Sequence, residues 1–165
     1  MTTYLFDTSV VMAHFTREPC GAEAVKLLSD SSCEIVTCVV TWLEFAGRLT
    51  EKGFSEREKS NILEAYRELI PVRYDIDEEV VKLAAQLRDE TRPRLPAMDA
   101  LIAGCAWVHN AVLVHNDAHM DAIPAGRLTC HKLSVPPPTA GDVPMIVREA
   151  GGSYRAARKR KERVK

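Results

Sequence analysis

Short apolar runs alternate with longer amphipathic stretches along this chain, and the alternation predicts strands interleaved with helices. Residues 3–7 read as a buried strand that ends at Asp7, and Val10-Val11-Met12-Ala13 begin a helix for which Thr8 or Ser9 would be the cap. A helix is predicted from Cys20 to Leu28, stopped by Ser29-Asp30-Ser31-Ser32. The β-branched run over residues 34–40 predicts the second strand. Thr41 would then cap a helix from Trp42 to Lys52 that closes at Gly53.

Ser55-Glu56-Arg57-Glu58 has the form of a capping box and opens a helix to about Leu69. Residues 72–76 predict a third strand. Asp77 starts a helix with apolar residues Val80, Val81, Leu83, Ala84 and Leu87 at helical spacing. Pro96 fits the first turn of a helix running to His109, with Asn110 as its stop. Its Ala97, Ala100, Ala103, Gly104 and Ala106 make that helix narrow enough for close packing. Residues 111–114 predict a fourth strand, and residues 126–133 hold a candidate fifth. Strands alternating with helices predict an α/β fold, a central parallel sheet with helices on both faces.

The 165 residues fit one domain, and 46% hydrophobic with 27% charged residues is an ordinary globular composition. No stretch is long and apolar enough for a membrane span, and the N-terminus has no signal-peptide pattern, so a cytoplasmic protein is expected. Five cysteines without a C-x-x-C pair suit reduced thiols better than a disulfide or zinc framework. Net charge is −1, but the ends differ: residues 148–165 carry eight Lys/Arg against two Glu, a net of +6, leaving −7 for residues 1–147. Pro136-Pro137-Pro138 marks the boundary, so the chain divides into a compact domain over 1–133 and a Pro-rich, then basic, tail over 134–165. An acidic body repels nucleic acid unless its acids hold metal and the tail supplies attraction.

Four acids stand where buried-looking segments break toward the surface: Asp7, Glu44, Asp99 and Asp117. In an open parallel sheet, ligands bind beyond the carboxyl ends of the strands at the topological switch point. Asp7 ends the first strand and Asp117 follows the fourth. Asp99 falls in the first turn of the helix leading to the fourth strand, and Glu44 in the first turn of the helix after the second. Singly, each acid also suits a helix cap, a first-turn dipole partner or a solvated face. Gathered in one cleft, unpaired carboxylates would repel, and a divalent cation removes that penalty.

Leu5-Phe6-Asp7-Thr8-Ser9, Trp42-Leu43-Glu44-Phe45-Ala46-Gly47, Met98-Asp99-Ala100-Leu101-Ile102-Ala103 and Val114-His115-Asn116-Asp117 resemble, in order and spacing, the acidic motifs of PIN-domain nucleases, most of all the VapC-type toxins of toxin–antitoxin pairs. The resemblance implies a three-layer α/β/α sandwich and a Mg²⁺- or Mn²⁺-dependent endoribonuclease acting on RNA. It further implies homodimerisation and inhibition by a small antitoxin. Carried over, Asp7, Glu44, Asp99 and Asp117 are the catalytic metal ligands, with Thr8, Ser9, Asn116 and His119 orienting the substrate. His119 stands where an aspartate is frequent, His115 where Thr or Ser is, and Ser9 where Asn is.

Two other readings compete. A haloacid-dehalogenase-like phosphatase would use Asp7 as nucleophile and Asp117 with Asp121 as a metal pair, but it wants an aspartate where Ser9 stands. A PIN-like RNA- or protein-binding module with a weakened site would keep the fold without the chemistry. A zinc site on His115 and His119 lacks further ligands at zinc spacing. Trp42 and Trp107, at apolar helix positions, suit core packing or a dimer contact better than base stacking.

Overall fold

A computed structural model describes residues 1–135. The proline run and the basic tail lie outside the described residues. Five strands form one sheet: β1 (Thr2–Phe6), β2 (Cys33–Cys38), β3 (Val72–Tyr74), β4 (Val112–His115) and β5 (Cys130–Lys132). Their order is β3-β2-β1-β4-β5, and every pairing is parallel. The helices are α1 (Thr8–Phe15), α2 (Gly21–Ser29), α3 (Val39–Glu51), α4 (Glu56–Leu69), α5 (Glu78–Glu90) and α6 (Ala97–Val108).

Side-chain alternation along the strands builds two separate cores. Leu5, Val36 and Leu113 face one side, where Val80, Ala84 and Leu87 of α5 and Ile102, Ala103 and Ala106 of α6 cover them. Phe6 and Val114, one residue along, face the other, under Val10 and Val11 of α1, Ala24 of α2 and Trp42, Phe45 and Leu49 of α3. The result is the expected α/β/α sandwich. Helix α4 buries no residue completely and packs at the periphery through Ile62, Leu63 and Tyr66. Its capping box is formed, with Ser55 and Glu58 exchanging both bonds.

Helix α6 lies so close to α5 that a Cβ on Gly104 would fall 2.8 Å from the Val80 carbonyl oxygen and 3.0 Å from the Ala84 nitrogen. The small residues of α6 permit that approach. Asn110 follows α6 with a φ of 50°, and Gly53 follows α3 with a φ of 85°, both as expected of helix stops.

Several boundaries differ from the sequence expectation. The cap of α1 is Asp7, whose carboxylate accepts the Ser9 N–H; neither Thr8 nor Ser9 fills that role. Strand β2 stops at Cys38, so Val39 and Val40 are helical although β-branched. Helix α3 therefore starts three residues earlier than predicted, and Thr41 is buried inside it with no hydrogen-bond partner for its hydroxyl. Pro96 is the extended residue preceding α6 rather than part of its first turn. Strands β3 and β5 are three residues each, shorter than the segments that suggested them. A single 3₁₀ turn, Met120–Ala122, follows β4 without a sequence signal.

Three thiols, Cys20, Cys38 and Cys105, are buried, Cys33 is half-buried and Cys130 is exposed; all five are free. No helix among the described residues is long and apolar enough to cross a membrane.

Candidate active site

The chain runs from β1 outward through β2 and β3, then crosses back to β4 on the other flank of β1, so the carboxyl ends of β1 and β4 flank the switch point. Asp7 and Asp117 sit there. The ladder continues one step past β1, where the Asp7 N–H donates to the Val114 carbonyl at 3.0 Å. Asp99 enters from the first turn of α6, where the helix dipole favours an acid. Because α3 starts early, Glu44 lies in its second turn rather than its first. A cleft of about 400 Å³ is lined by all four predicted acids together with Thr8, Ser9 and Asn116.

Hydroxyl and amide donors hold three of the carboxylates. Asp7 Oδ2 accepts the Ser9 N–H at 3.0 Å and the Ser9 hydroxyl at 2.5 Å. Thr8 Oγ1 donates to Glu44 Oε2 at 2.5 Å. The His119 N–H donates to Asp117 Oδ1 at 2.7 Å. Ser9 also accepts the Asn116 N–H at 2.8 Å, which ties the loop after β4 to the start of α1. Thr8 and Ser9 are thus engaged with carboxylates, and the Asn116 side-chain amide faces Cys20 Sγ at 3.4 Å.

Asp99 differs. Its Oδ2 is buried without a hydrogen-bond donor, and the His119 ring nitrogen Nδ1 stands 3.6 Å away. Burial pushes the Asp99 carboxyl up to about 6, and the charges of Asp7, Asp117 and Glu44 add to the rise. Burial also raises Asp7, against the lowering effect of its bonds to Ser9 and Thr8. Three carboxylates close enough to raise the pKa of a fourth, with an orphaned oxygen among them, suit a divalent cation with oxygen ligands. The residues present therefore fit Mg²⁺ or Mn²⁺.

The two histidines part company. His115 is buried, its Nδ1 stands 3.0 Å from the Asp117 carbonyl oxygen, and burial pushes its pKa down. It shapes the loop and leaves no zinc pair with His119. His119 is half-exposed, yet its Nδ1 is 3.1 Å from Asp117 Oδ1, and ligand atoms of Asp99, Asp117 and His119 lie within 4.8 Å of one another. Trp42 is buried in the core and Trp107 lies under the Arg127 guanidinium at 5.9 Å, so both pack away from this cleft.

Sequence reasoning missed four charged residues of the cleft wall: Glu18, Arg48, Glu51 and Lys52. Arg48 and Lys52 follow Glu44 at four-residue intervals, the one signal that could have placed them on its face of the helix.

A family model described as PIN domain matches residues 4–126. The chain belongs to the PIN-domain family. Solved structures agree on the fold. VapBC2 from Rickettsia felis, bound to a DNA fragment from its promoter, superposes with a TM-score of 0.66 at 19% identity, covering 81% of this chain and all of that one. A DNA-bound VapBC from Salmonella typhimurium gives 0.64 at 19% identity, with coverage of 81% and 100%. VapBC-5 from Mycobacterium tuberculosis, a member of the VapBC family of toxin–antitoxin systems, gives 0.55 at 18% identity, with coverage of 82% and 100%. Comparison with curated protein sequences returned no match. As a PIN domain, the chain carries its cleft acids at or just beyond strand ends and in helices α3 and α6.

Proposed function

We propose that this PIN domain is a Mg²⁺- or Mn²⁺-dependent endoribonuclease and the toxin of a toxin–antitoxin pair. The observation that carries the nuclease reading is the convergence of Asp7, Glu44, Asp99 and Asp117 on one cleft, with Asp99 Oδ2 lacking any protein donor. The four carboxylates would hold the cation. When bound, it would supply a water of lowered pKa and neutralise charge developing on the phosphorus and the leaving oxygen.

The chain's own part is positioning. Thr8 fixes Glu44, Ser9 fixes Asp7, and the turn backbone at His119 fixes Asp117, so the ligand set is held before substrate arrives. Ser9 also couples two motifs, because its one hydroxyl serves both Asp7 and the backbone at Asn116. Asp99 and Asp7 both have carboxyls pushed up by burial, so a cation would relieve both, and Asp99 Oδ2 is the oxygen with no hydrogen-bond donor of its own.

Partnership with an antitoxin draws support from the solved neighbours, several of which are VapBC assemblies. A homodimer, a cytoplasmic location, and a nuclease domain over 1–133 followed by a separate basic tail complete the proposal. The test is cleavage of single-stranded and structured RNA, with DNA as control, in Mg²⁺, in Mn²⁺ and in EDTA. Cleavage should need the metal and vanish in Asp7→Asn and Asp99→Asn; full activity in excess EDTA refutes the reading.

A further inference from the structure

The cleft has an uneven charge. Asp7, Glu18, Glu44, Glu51, Asp99 and Asp117 line it, against Arg48 and Lys52 alone. A cation held by the inner four acids leaves the outer wall unfavourable to a polyanion, so the approach of RNA depends on where the two positive side chains stand. Both lie on α3. Glu44, Arg48 and Lys52 are four residues apart in succession, which puts them in one stripe running from the inner acids to the rim. Along the helix axis Lys52 is about 12 Å from Glu44, on the order of three or four stacked nucleotides of a single strand.

The two cations are held differently. Arg48 pairs with Glu51 at 3.1 Å, with both side chains more than half exposed at 60% and 65%. An exposed pair of this kind is weak and exchanges readily for another anion. Lys52, the exposed residue closing α3, makes no ion pair and no side-chain hydrogen bond among the described residues. Its place at a helix C-terminus is favourable for a cation in any case. That accounts for the charge being tolerated there, while membership of the cleft wall is a separate property.

We propose that Lys52, assisted by Arg48, is a phosphate-binding residue that holds a single-stranded RNA backbone two to four nucleotides from the bond to be cut, laying the strand along α3. The proposal rests on the reading of the cleft as an RNA nuclease site. It assigns the sequence-independent grip on the substrate to α3, separately from the metal ligands.

The experiment measures steady-state cleavage of an end-labelled single-stranded RNA oligonucleotide by the full chain in Mn²⁺ over a range of salt concentrations. Fluorescence anisotropy of the same RNA in EDTA reads binding without cleavage. Lys52→Gln should raise KM roughly three- to tenfold with kcat within about twofold, and should reduce the slope of log affinity against log salt by about 0.7. Lys52→Arg should restore both quantities, which loss of a merely structural lysine at the helix end would not require. A neutral methylphosphonate two to four linkages from the cut should reproduce the KM rise in the wild type and add nothing in Lys52→Gln.

An unchanged salt slope, additive effects of the two changes, or a fall in kcat alone overturns the proposal. If the wild type binds RNA without cutting it and the slope still falls in Lys52→Gln, the nuclease reading fails and the phosphate site stands. If cleavage is normal and the slope does not move, the reverse holds. Absence of RNA binding by the wild type overturns both.

Discussion

Replacing Asp99 by asparagine should make the metal-free protein more stable while destroying its proposed activity. The folded-state pKa of about 6, against an ordinary 3.8, means that folding favours the protonated carboxyl. That contribution is complete below pH 3.8, shrinks as the pH rises through the window to about 6, and above it the charged carboxylate opposes the fold. The side chain is only 15% exposed, so solvent screening removes little of the effect. A rise of about two units corresponds to about 3 kcal/mol at 1.36 kcal/mol per unit.

An asparagine amide that finds imperfect partners gives back part of this, leaving about 1–3 kcal/mol of net stabilisation at pH 8. For a chain of this size that is on the order of 2–10 °C in Tm. The assay is thermal unfolding of wild type and Asp99→Asn in EDTA at pH 4.5 and pH 8. The variant should melt higher at pH 8, and the difference should shrink at pH 4.5. Mn²⁺ at about 1,000 times its Kd should then reverse the order, because a ligand at that excess stabilises the wild type by about 4.1 kcal/mol. An Asp99→Asn protein no more stable than wild type at pH 8 in EDTA, or a difference independent of pH, would refute the reasoning.

Three further outcomes are expected. Asp7→Asn should lose cleavage yet fold normally, since asparagine caps a helix as well as aspartate; Asp7→Ala should also lose about 1 kcal/mol in denaturant melts. His119→Asp should tighten Mg²⁺ binding by calorimetry and narrow the excess of Mn²⁺- over Mg²⁺-supported activity expected of the wild type, because imidazole suits Mn²⁺ better than the harder ion; equal activity in both metals before and after the change counts against that role. Removing residues 148–165 takes away a net +6 and should flatten the salt dependence of RNA binding without altering kcat, as titrations over a salt series will report.

The parts of this molecule that were legible beforehand depend on local chemistry. The capping box at Ser55 and Glu58 and the stops at Gly53 and Asn110 follow from one or two residues each. Apolar runs located the strands, and alternation of Leu5 with Phe6 carried the two-faced core. The misreadings arose where tertiary packing overruled propensity. Val39 and Val40 look like strand residues, but Cys38 already turns the chain into α3, which moves Glu44 up one turn. Asp7 combines a cap with a cleft carboxylate, and composition could not separate those roles from the hydroxyls beside it. The four acids were readable because each ends or interrupts an apolar segment. Arg48, Glu51, Lys52 and Glu18 interrupt no apolar segment; the four-residue spacing from Glu44 marks Arg48 and Lys52 alone, and the tertiary fold brings Glu18 and Glu51 to the cleft.

The near-contact of α6 with α5 reaches further than packing. Asp99 stands five residues before Gly104 on the same rigid rod, about 7.5 Å along its axis. The seat of that rod is set by a missing side chain, with the Val80 carbonyl occupying the space. A methyl group there must lever α6 away from its neighbour, and the far end of the lever is a carboxylate that the other three acids need within reach. If the proposed site holds its cation, Gly104→Ala, a change with no polar atom and outside the cleft, should register as weakened metal binding before it registers as a damaged fold.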